Sequence, residues 1–194
     1  GKMGFAIAQA ARDRGALVIL ITGPSALPDM IGVKTFRIET TADLRESVLD
    51  ACFESDALVM AAAVSDYRPS QVSVEKIKKS SGKSGLTLTL EQNADFFHEV
   101  PEGIVRVGFS AETESIVENS ISKLNQKSLD LIVANDVTRP DSGFDVDTNK
   151  VTIISKSGET SELPTLPKYE VAWELLDRLK DILDSRPSQP RPLP

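Results

Sequence analysis

Short apolar runs separated by helical patterns constrain the fold of this chain more than any other feature of its sequence. The runs occupy residues 17–21, 57–63, 104–109 and 129–134. Continuous apolar runs of this length are typical of strands that are buried on both faces, as in parallel sheets. The alternation of strands and crossover helices therefore predicts an α/β fold with a doubly wound, mostly parallel, Rossmann-like sheet.

Helices are predicted where apolar residues recur at spacings of three and four positions. These segments cover residues 3–14, 41–53, 114–126 and 167–184. Thr40 or Thr41 can cap the second helix, and Pro167 can open the last one.

Weaker patterns complete the outline of the chain. They predict strands at residues 35–39 and 86–90, and a small β-hairpin appendage made of residues 151–154 and 160–163. We expect one nucleotide-binding domain over residues 1–184 and a disordered, proline-rich tail over residues 185–194.

Charge and composition limit the partners that this chain can have. Its formal net charge of -7 argues against general nucleic-acid binding, because neutralising phosphates requires surplus Lys and Arg. The single cysteine, Cys52, lies in a helical apolar pattern and is interpreted as a packing residue. No apolar run is long enough to span a membrane, and no signal-peptide pattern is present. We expect a cytoplasmic protein with no membrane partner.

The residues that follow the apolar runs are the candidates for chemistry, because ligands of parallel sheets bind beyond the carboxyl ends of the strands. Three alanines, Ala61 to Ala63, end the second run and let a flat group approach the backbone. Asp66 follows them, where it either accepts hydrogen bonds from a ribose or caps a turn. We favour the ligand interpretation because the small residues and the acid occur together.

Cations occur at two further places. Lys76, Lys78 and Lys79 form a basic cluster after Asp66, which is either an anion site or a solvated charge run. Lys123 and Lys127 lie four residues apart on one predicted helix face, and we expect them near the same edge of the sheet. Phe109 ends the third run and is placed either to stack on a base or to fill the core.

Several other kinds of site find little support in the sequence. The chain contains neither a G-x-G-x-x-G fingerprint nor a G-x-x-x-x-G-K-[ST] phosphate loop. Its single histidine, His98, stands beside Phe96 and Phe97, so a Ser-His-Asp triad or a histidine zinc site has little support.

Five motifs in register resemble the phosphopantothenate–cysteine ligase family, the synthetase domain of the bacterial bifunctional coenzyme A biosynthesis flavoprotein. The resemblance runs from Gly1 to about the end of the last helix. The motifs are Gly-Lys-Met-Gly-Phe-Ala-Ile-Ala from Gly1, Ala-Ala-Ala-Val-Ser-Asp-Tyr-Arg from Ala61, Glu-Lys-Ile-Lys-Lys from Glu75, Val-Gly-Phe-Ser-Ala-Glu-Thr from Val107, and Asp-Leu-Ile-Val-Ala-Asn-Asp-Val from Asp130, with Gly143, Phe144 and Asn149 following.

The resemblance implies a ligase that joins 4′-phosphopantothenate to L-cysteine with CTP as co-substrate. In that family the substrate carboxylate attacks the α-phosphorus of CTP and pyrophosphate leaves. The amine of cysteine then displaces CMP from the acyl-cytidylate. Mg²⁺ assists with the triphosphate charge, although the sequence identifies no metal ligands. Family members form homodimers, and the hairpin near Val151 is our candidate for the subunit contact.

The resemblance also implies roles for individual residues. Lys76 corresponds to the catalytic lysine, and Ala63 lies beside the phosphopantothenate. The residues that correspond to nucleotide contacts are Met60, Ala61, Ala62, Asp66, Lys76, Ala94, Asp95, Phe96, Phe97, Phe109, Lys123 and Lys127. Ala94 replaces the proline of the family's Asn-Pro-Asp loop, so the rigidity of that loop differs here.

The family pattern has a strand, a glycine-rich turn and an Ile-Ser-Asn-x-x-Ser segment before the Gly-Lys-Met-Gly motif. We expect the first strand and an active-site asparagine to be missing from this chain, and FMN not to bind. Two alternatives to the ligase stay open: an NAD(P)-dependent reductase on a related fold, and a non-catalytic module for nucleotide binding or oligomerisation.

Overall fold

The apolar runs and amphipathic segments form strands and helices in a computed structural model of the chain, which describes residues 1–78, 85–112, 115–136 and 146–186, with backbone alone for Glu112 and Asp136. The helices are α1 (Lys2–Asp13), α2 (Thr41–Cys52), α3 (Ile116–Gln126) and α4 (Lys168–Ser185), with a 3-10 turn at Phe97–Glu99. The strands are β1 (Val18–Thr22), β2 (Val33–Arg37), β3 (Ala57–Met60), β4 (Tyr67–Pro69), β5 (Leu90–Gln92), β6 (Val105–Glu112), β7 (Leu131–Asp136), β8 (Thr148–Asn149), β9 (Val151–Ser155), β10 (Thr160–Glu162) and β11 (Leu166–Pro167).

The largest sheet has five strands in the order β10-β9-β7-β6-β3. Strands β3, β6 and β7 are parallel, and β9 and β10 add an antiparallel hairpin at one edge. Gly158 turns this hairpin with φ of 91°, a conformation that favours glycine. The predictions of a mostly parallel sheet and of the hairpin appendage are confirmed.

Helices cover both faces of this sheet. On one face α1 and α4 pack over Val105, Val107 and Val133. On the other face α2 and α3 pack with Leu58 and Met60 and with the segment that leads into β6. This two-sided cover confirms the doubly wound arrangement.

The parallel strands do not form one continuous sheet. Strands β1 and β2 pair with each other in a separate two-stranded sheet, and the five-stranded sheet ends at β3. The expectation that the first two apolar runs are buried strands is therefore wrong, because all residues of β1 and β3 are only half-buried. Each of these strands lies at the edge of its own sheet in the described structure. The chain also leaves the sheet after Met60, three residues before the predicted end of the strand.

The start of α2 has the side-chain cap that its sequence predicts. The hydroxyl of Thr40 accepts a hydrogen bond from the backbone N–H of Asp43, whose side chain accepts one from the backbone N–H of Thr40. This capping box confirms the predicted start of α2.

At the other end of the chain α4 includes Ser185, and Arg186 donates to Asp130 Oδ1 at 3.0 Å. These two residues belong to the domain rather than to the predicted tail, whose residues 187–194 lie outside the described residues.

An exposed arm, defined here as β4, β5 and residues 85–89, extends from the domain. The expected strand at 86–90 is shifted, since pairing joins Tyr67–Pro69 to Leu90–Gln92. The reason is register: the short partner strand begins at Tyr67, opposite Gln92, so residues 86–89 lie past its end. Ser70 continues the ribbon by one residue, with its backbone N–H donating to the carbonyl of Thr89 at 3.0 Å. Lys79, Thr113, Val137, Gly143 and Phe144 lie outside the described residues.

Candidate functional site

The end of β3 delivers the predicted nucleotide segment to the surface. The side chain of Met60 packs between the two hydrophobic clusters on the α2 and α3 face, and Ala61 packs on the opposite face. Ala62, Ala63 and Asp66 follow as exposed residues. The small side chains of Ala62 and Ala63 thus lie just beyond the carboxyl end of β3, where the backbone of this segment is accessible.

Asn93 connects this segment to the loop that follows β5. Its backbone N–H donates to the carbonyl of Asp66 at 2.8 Å, and its side-chain Nδ2 donates to the carbonyl of Ser65 at 2.8 Å. Its Oδ1 accepts a hydrogen bond from Arg68 Nη1 at 3.1 Å. Three hydrogen bonds therefore hold the Asp66 segment and the Asn93 loop together. Sequence reasoning gave Asn93 no role of its own, although Asn followed by Ala-Asp is a turn-forming pattern.

Asp95 organises the next part of the loop. Its Oδ1 accepts the backbone N–H of Phe97 at 3.1 Å, and its Oδ2 lies 2.9 Å from Lys127 Nζ. Partial burial opposes ionisation of this carboxylate, but the hydrogen bond from Lys127 and the one from Phe97 outweigh it and lower the pKa of Asp95. The Lys127 ammonium also lies 5.8 Å from the centre of the Phe97 ring. The structure thus brings together Asp95, Phe97 and Lys127, three of the predicted residues.

The position of Lys127 differs from the expectation in one respect. We expected Lys123 and Lys127 near the carboxyl edge of the sheet. A helix that follows a parallel strand runs back toward the amino edge, so the end of α3 lies away from the carboxyl edge. The loop from Asn93 to Phe97 reaches across the α2 and α3 face and meets Lys127 there. The backbone N–H of Lys127 donates to the carbonyl of Lys123 at 3.0 Å, which places the two residues on successive turns.

The aromatic residues of the prediction are mainly packing residues. Phe96 and Phe97 are buried, each in a hydrophobic cluster on the α2 and α3 face. Phe109 is half-buried and packs on the opposite face, among residues covered by α1 and α4. Contacts from Phe96 and Phe97 to a ligand would therefore come from their backbone, as with Ala94, which is exposed.

Lys76 lies in an exposed stretch after β4. The hydroxyl of Ser73 donates to the carbonyl of Glu75 at 2.6 Å just before it. The contacts of the described residues do not bring Lys76 against Asp66, Asp95 or Lys127. Its catalytic role stays a prediction from the resemblance.

The described ranges also bear on three other features: metal sites, the reactivity of Cys52 and membrane-spanning helices. These ranges contain no group of three or more His, Cys, Asp and Glu side chains placed to hold a metal ion. Burial raises the pKa of the Cys52 thiol, which fits the packing interpretation. Across the same residues, no helix is both long and apolar enough to cross a membrane.

Fold and site together define a doubly wound α/β domain with a polar cluster that begins at the carboxyl end of β3. The chain belongs to the family of the DNA/pantothenate metabolism flavoprotein C-terminal domain, whose model matches residues 1–183. The resemblance drawn from the sequence motifs is confirmed at the level of the family.

Individual relatives agree with this assignment. The coenzyme A biosynthesis bifunctional protein CoaBC of Bacillus subtilis (strain 168) is 44% identical over 183 residues, which are 92% of this chain and 45% of that protein. The crystal structure of the C-terminal domain of CoaBC superimposes with a TM-score of 0.80 at 36% identity, covering 96% of this chain and 84% of that chain. A Cab2 variant in complex with phosphopantothenate-cysteine shares the fold, with a TM-score of 0.69 at 15% identity over 94% of this chain and 78% of that chain. This chain spans about half the length of the curated relatives it matches.

Proposed function

We propose that this chain carries a CTP-dependent ligase activity that joins 4′-phosphopantothenate to L-cysteine. The observation that carries the proposal is a loop bound at two places, in a chain 44% identical to a CoaBC protein over 183 residues. Asn93 donates to the carbonyls of Ser65 and Asp66, and Asp95, two residues further on, pairs with Lys127. The loop from Asn93 to Phe97 thus links Asp66, Asp95 and Lys127, three residues that the family resemblance assigns to the nucleotide. The fold also accommodates phosphopantothenate-cysteine in Cab2.

In this proposal the exposed backbone after Met60 receives the nucleotide, and Asp66 accepts hydrogen bonds from its ribose. Ala63 contacts the phosphopantothenate. Lys123 and Lys127 supply positive charge, and Asp95 holds Lys127 in place before the ligand binds. An ammonium held in advance costs less side-chain entropy when it meets an anion.

Two bond-making steps complete the proposed reaction. The carboxylate of 4′-phosphopantothenate attacks the α-phosphorus of CTP, and the bond to pyrophosphate breaks. The cysteine amine then attacks the acyl carbon, CMP leaves, and the amine loses a proton as the amide forms. Lys76 stabilises negative charge on the reacting phosphate. Mg²⁺ would be held chiefly by the phosphates of CTP and would offset part of their negative charge.

The test follows each half-reaction with Lys76→Ala. We expect pyrophosphate release from CTP and 4′-phosphopantothenate to fall by about 100-fold, as when a charge-stabilising group is lost. Lys180→Ala is the matched control, because Lys180 is an exposed lysine on α4. Normal cysteine-dependent CMP release by Lys76→Ala would refute the role of this lysine.

Calorimetry with CTP and with NADPH separates the ligase from its alternatives. Binding of CTP with formation of the acyl-cytidylate supports the ligase. Binding of CTP without any pyrophosphate release identifies a non-catalytic nucleotide module, and binding of NADPH in place of CTP identifies a reductase.

We also propose that the protein forms a homodimer through the exposed arm. The hairpin near Val151 is a poor candidate for this contact, because Val151, Ile153 and Ile154 are buried within the chain. The arm instead exposes apolar side chains, with Leu88 61% and Leu90 53% exposed. Leu88→Lys should shift the sedimentation coefficient to that of a monomer, whereas Lys180→Ala should leave it unchanged.

A further inference from the structure

Lys168, the first residue of α4, is a lysine with only 5% of its surface exposed. Its ammonium donates hydrogen bonds to the carbonyl oxygens of Val146 and Thr148, the latter at 3.0 Å. Its backbone N–H donates to the carbonyl of Asp147 at 2.9 Å. One residue therefore binds three successive carbonyls. The two that accept hydrogen bonds from the ammonium are what lets a charged side chain lie in the interior.

The segment that Lys168 binds contacts the first turn of α1. Asp147 Oδ1 lies 2.7 Å from Lys2 Nζ, and the hydrogen bond and charge of Lys2 lower the pKa of Asp147. Asn149, which is 2% exposed, places its Nδ2 4.0 Å from the sulfur of Met3. Residues 147 and 149 thus both touch the beginning of this helix.

The same turn lies against the candidate site. A Cβ built on Gly4 would stand 3.9 Å from the Cβ of Ala61, the first residue after β3. A Cβ built on Gly1 would stand 3.8 Å from Ser25 Oγ, in the loop after β1. A small movement of the first turn of α1 would therefore be felt directly at Ala61.

We propose that Lys168 is a positioning residue for the site that begins at Ala61. It fixes residues 146–148 through their carbonyls, and Asp147 and Asn149 hold the first turn of α1 at its distance from Ala61. The ammonium of a lysine suits this task because it offers three donors and no acceptor. The inference rests on the proposed function only in taking Ala61 to Ala63 as part of the site.

The experiment compares Lys168→Met with Lys168→Arg and with Lys180→Met, a control on the exposed face of the same helix. The first readout is the amide chemical shift of Gly4 and Ala61 in the ligand-free protein. We expect both resonances to move in Lys168→Met, to return toward their original positions in Lys168→Arg, and to stay unchanged in Lys180→Met. The second readout is kcat/KM for 4′-phosphopantothenate, which should fall about tenfold or more in Lys168→Met because small misplacements at a site are costly.

Asp147→Asn provides a second variant if Lys168→Met does not fold. The side chain of Asp147 is 89% exposed, and exposed ion pairs contribute little to stability. We therefore expect Asp147→Asn to move the Gly4 and Ala61 resonances with little change in Tm. A lower Tm with unmoved resonances in Lys168→Met, or unmoved resonances in Asp147→Asn, would overturn the positioning role. The two proposals can fail separately. If the Gly4 and Ala61 resonances move in the variants but the unmodified protein does not react with CTP, the positioning role is supported and the proposed function is refuted.

Discussion

The carboxylate of Asp95 and the ammonium of Lys127 form a 2.9 Å ion pair that joins the loop after β5 to the end of α3. The pair is reinforced from the backbone, since the N–H of Phe97 donates to the other carboxylate oxygen at 3.1 Å. Asp95 therefore has two donors of its own that favour its ionised form. The pair fixes the position of one positive charge against the loop that Asn93 joins to the Asp66 segment.

Lys127→Met should raise the pKa of Asp95 from its lowered value. In the parent protein the lowered pKa means that the carboxylate stabilises the fold above the usual carboxyl pKa of about 3.9, and that this contribution is lost as the pH falls through the lower folded value. Without Lys127 the folded pKa of Asp95 is higher, so the variant should lose this stabilising contribution at a higher pH than the parent protein does. Carbon-13 NMR of the Asp95 carboxyl measures the change, and Lys180→Met should leave the titration unaltered.

Asn93→Ala should loosen the segment that contains Ser65 and Asp66. It removes the side-chain hydrogen bonds to the Ser65 carbonyl and from Arg68 while leaving the backbone bond to Asp66. Backbone order parameters of Ser65 and Asp66, measured by nitrogen-15 relaxation, should fall. Asn125→Ala, at an exposed position in α3, is the control and should leave these order parameters unchanged. Unchanged order parameters of Ser65 and Asp66 in Asn93→Ala would contradict the connecting role of Asn93.

Gly108→Ala should destabilise the protein by about 1–3 kcal/mol through overpacking. A Cβ at Gly108 would stand 2.6 Å from Cδ1 of Leu129, whose side chain is itself buried. Urea unfolding measures the loss. Gly23→Ala is the control, because nothing lies within 4 Å of a Cβ there. Adding Leu129→Val should cost less than the sum of the single changes, and strict additivity would show that the two residues do not clash.

Ser110→Ala and Ser120→Ala should each destabilise the protein by about 1–3 kcal/mol, because each leaves a buried hydroxyl without its partner. The two hydroxyl oxygens lie 2.7 Å apart between β6 and α3, and both residues are buried. The double variant should be less destabilised than the two single losses combined. Thermal and urea unfolding provide the cycle, with Ser157→Ala at an exposed turn as the reference. Fully additive losses would rule out the interaction.

Local sequence rules were sufficient for much of the secondary structure. The Thr40 and Asp43 capping box and the amphipathic pattern of α4 depend on residues within a few positions of each other. Such local information predicted the helices and the order of the main strands, and through them the doubly wound fold. Asp95 and Lys127 were site candidates through the family resemblance and not through local rules.

Contacts between residues distant in sequence do not follow from local sequence rules. The half-buried state of β1 and β3 depends on which strands pair with them, and apolar content alone does not encode that choice. The burial of Lys168 depends on carbonyls about twenty residues earlier in the chain, so its sequence neighbours give no sign of it. The bond between Asn93 and the Ser65 carbonyl likewise joins residues that are distant in sequence.

The division of the parallel strands has a mechanical consequence. No hydrogen-bonded ladder joins β1 to β3 in the part of the chain that the structure describes, so the loop after β1 and the loop after β3 are carried by different sheets. Helices α1 and α2 bridge them, since both contact β1 and also pack against residues of β3. Packed helices slide more readily than a ladder stretches. Among the described residues the distance between these two loops is therefore set by the side-chain packing of α1 and α2 and by no strand pairing.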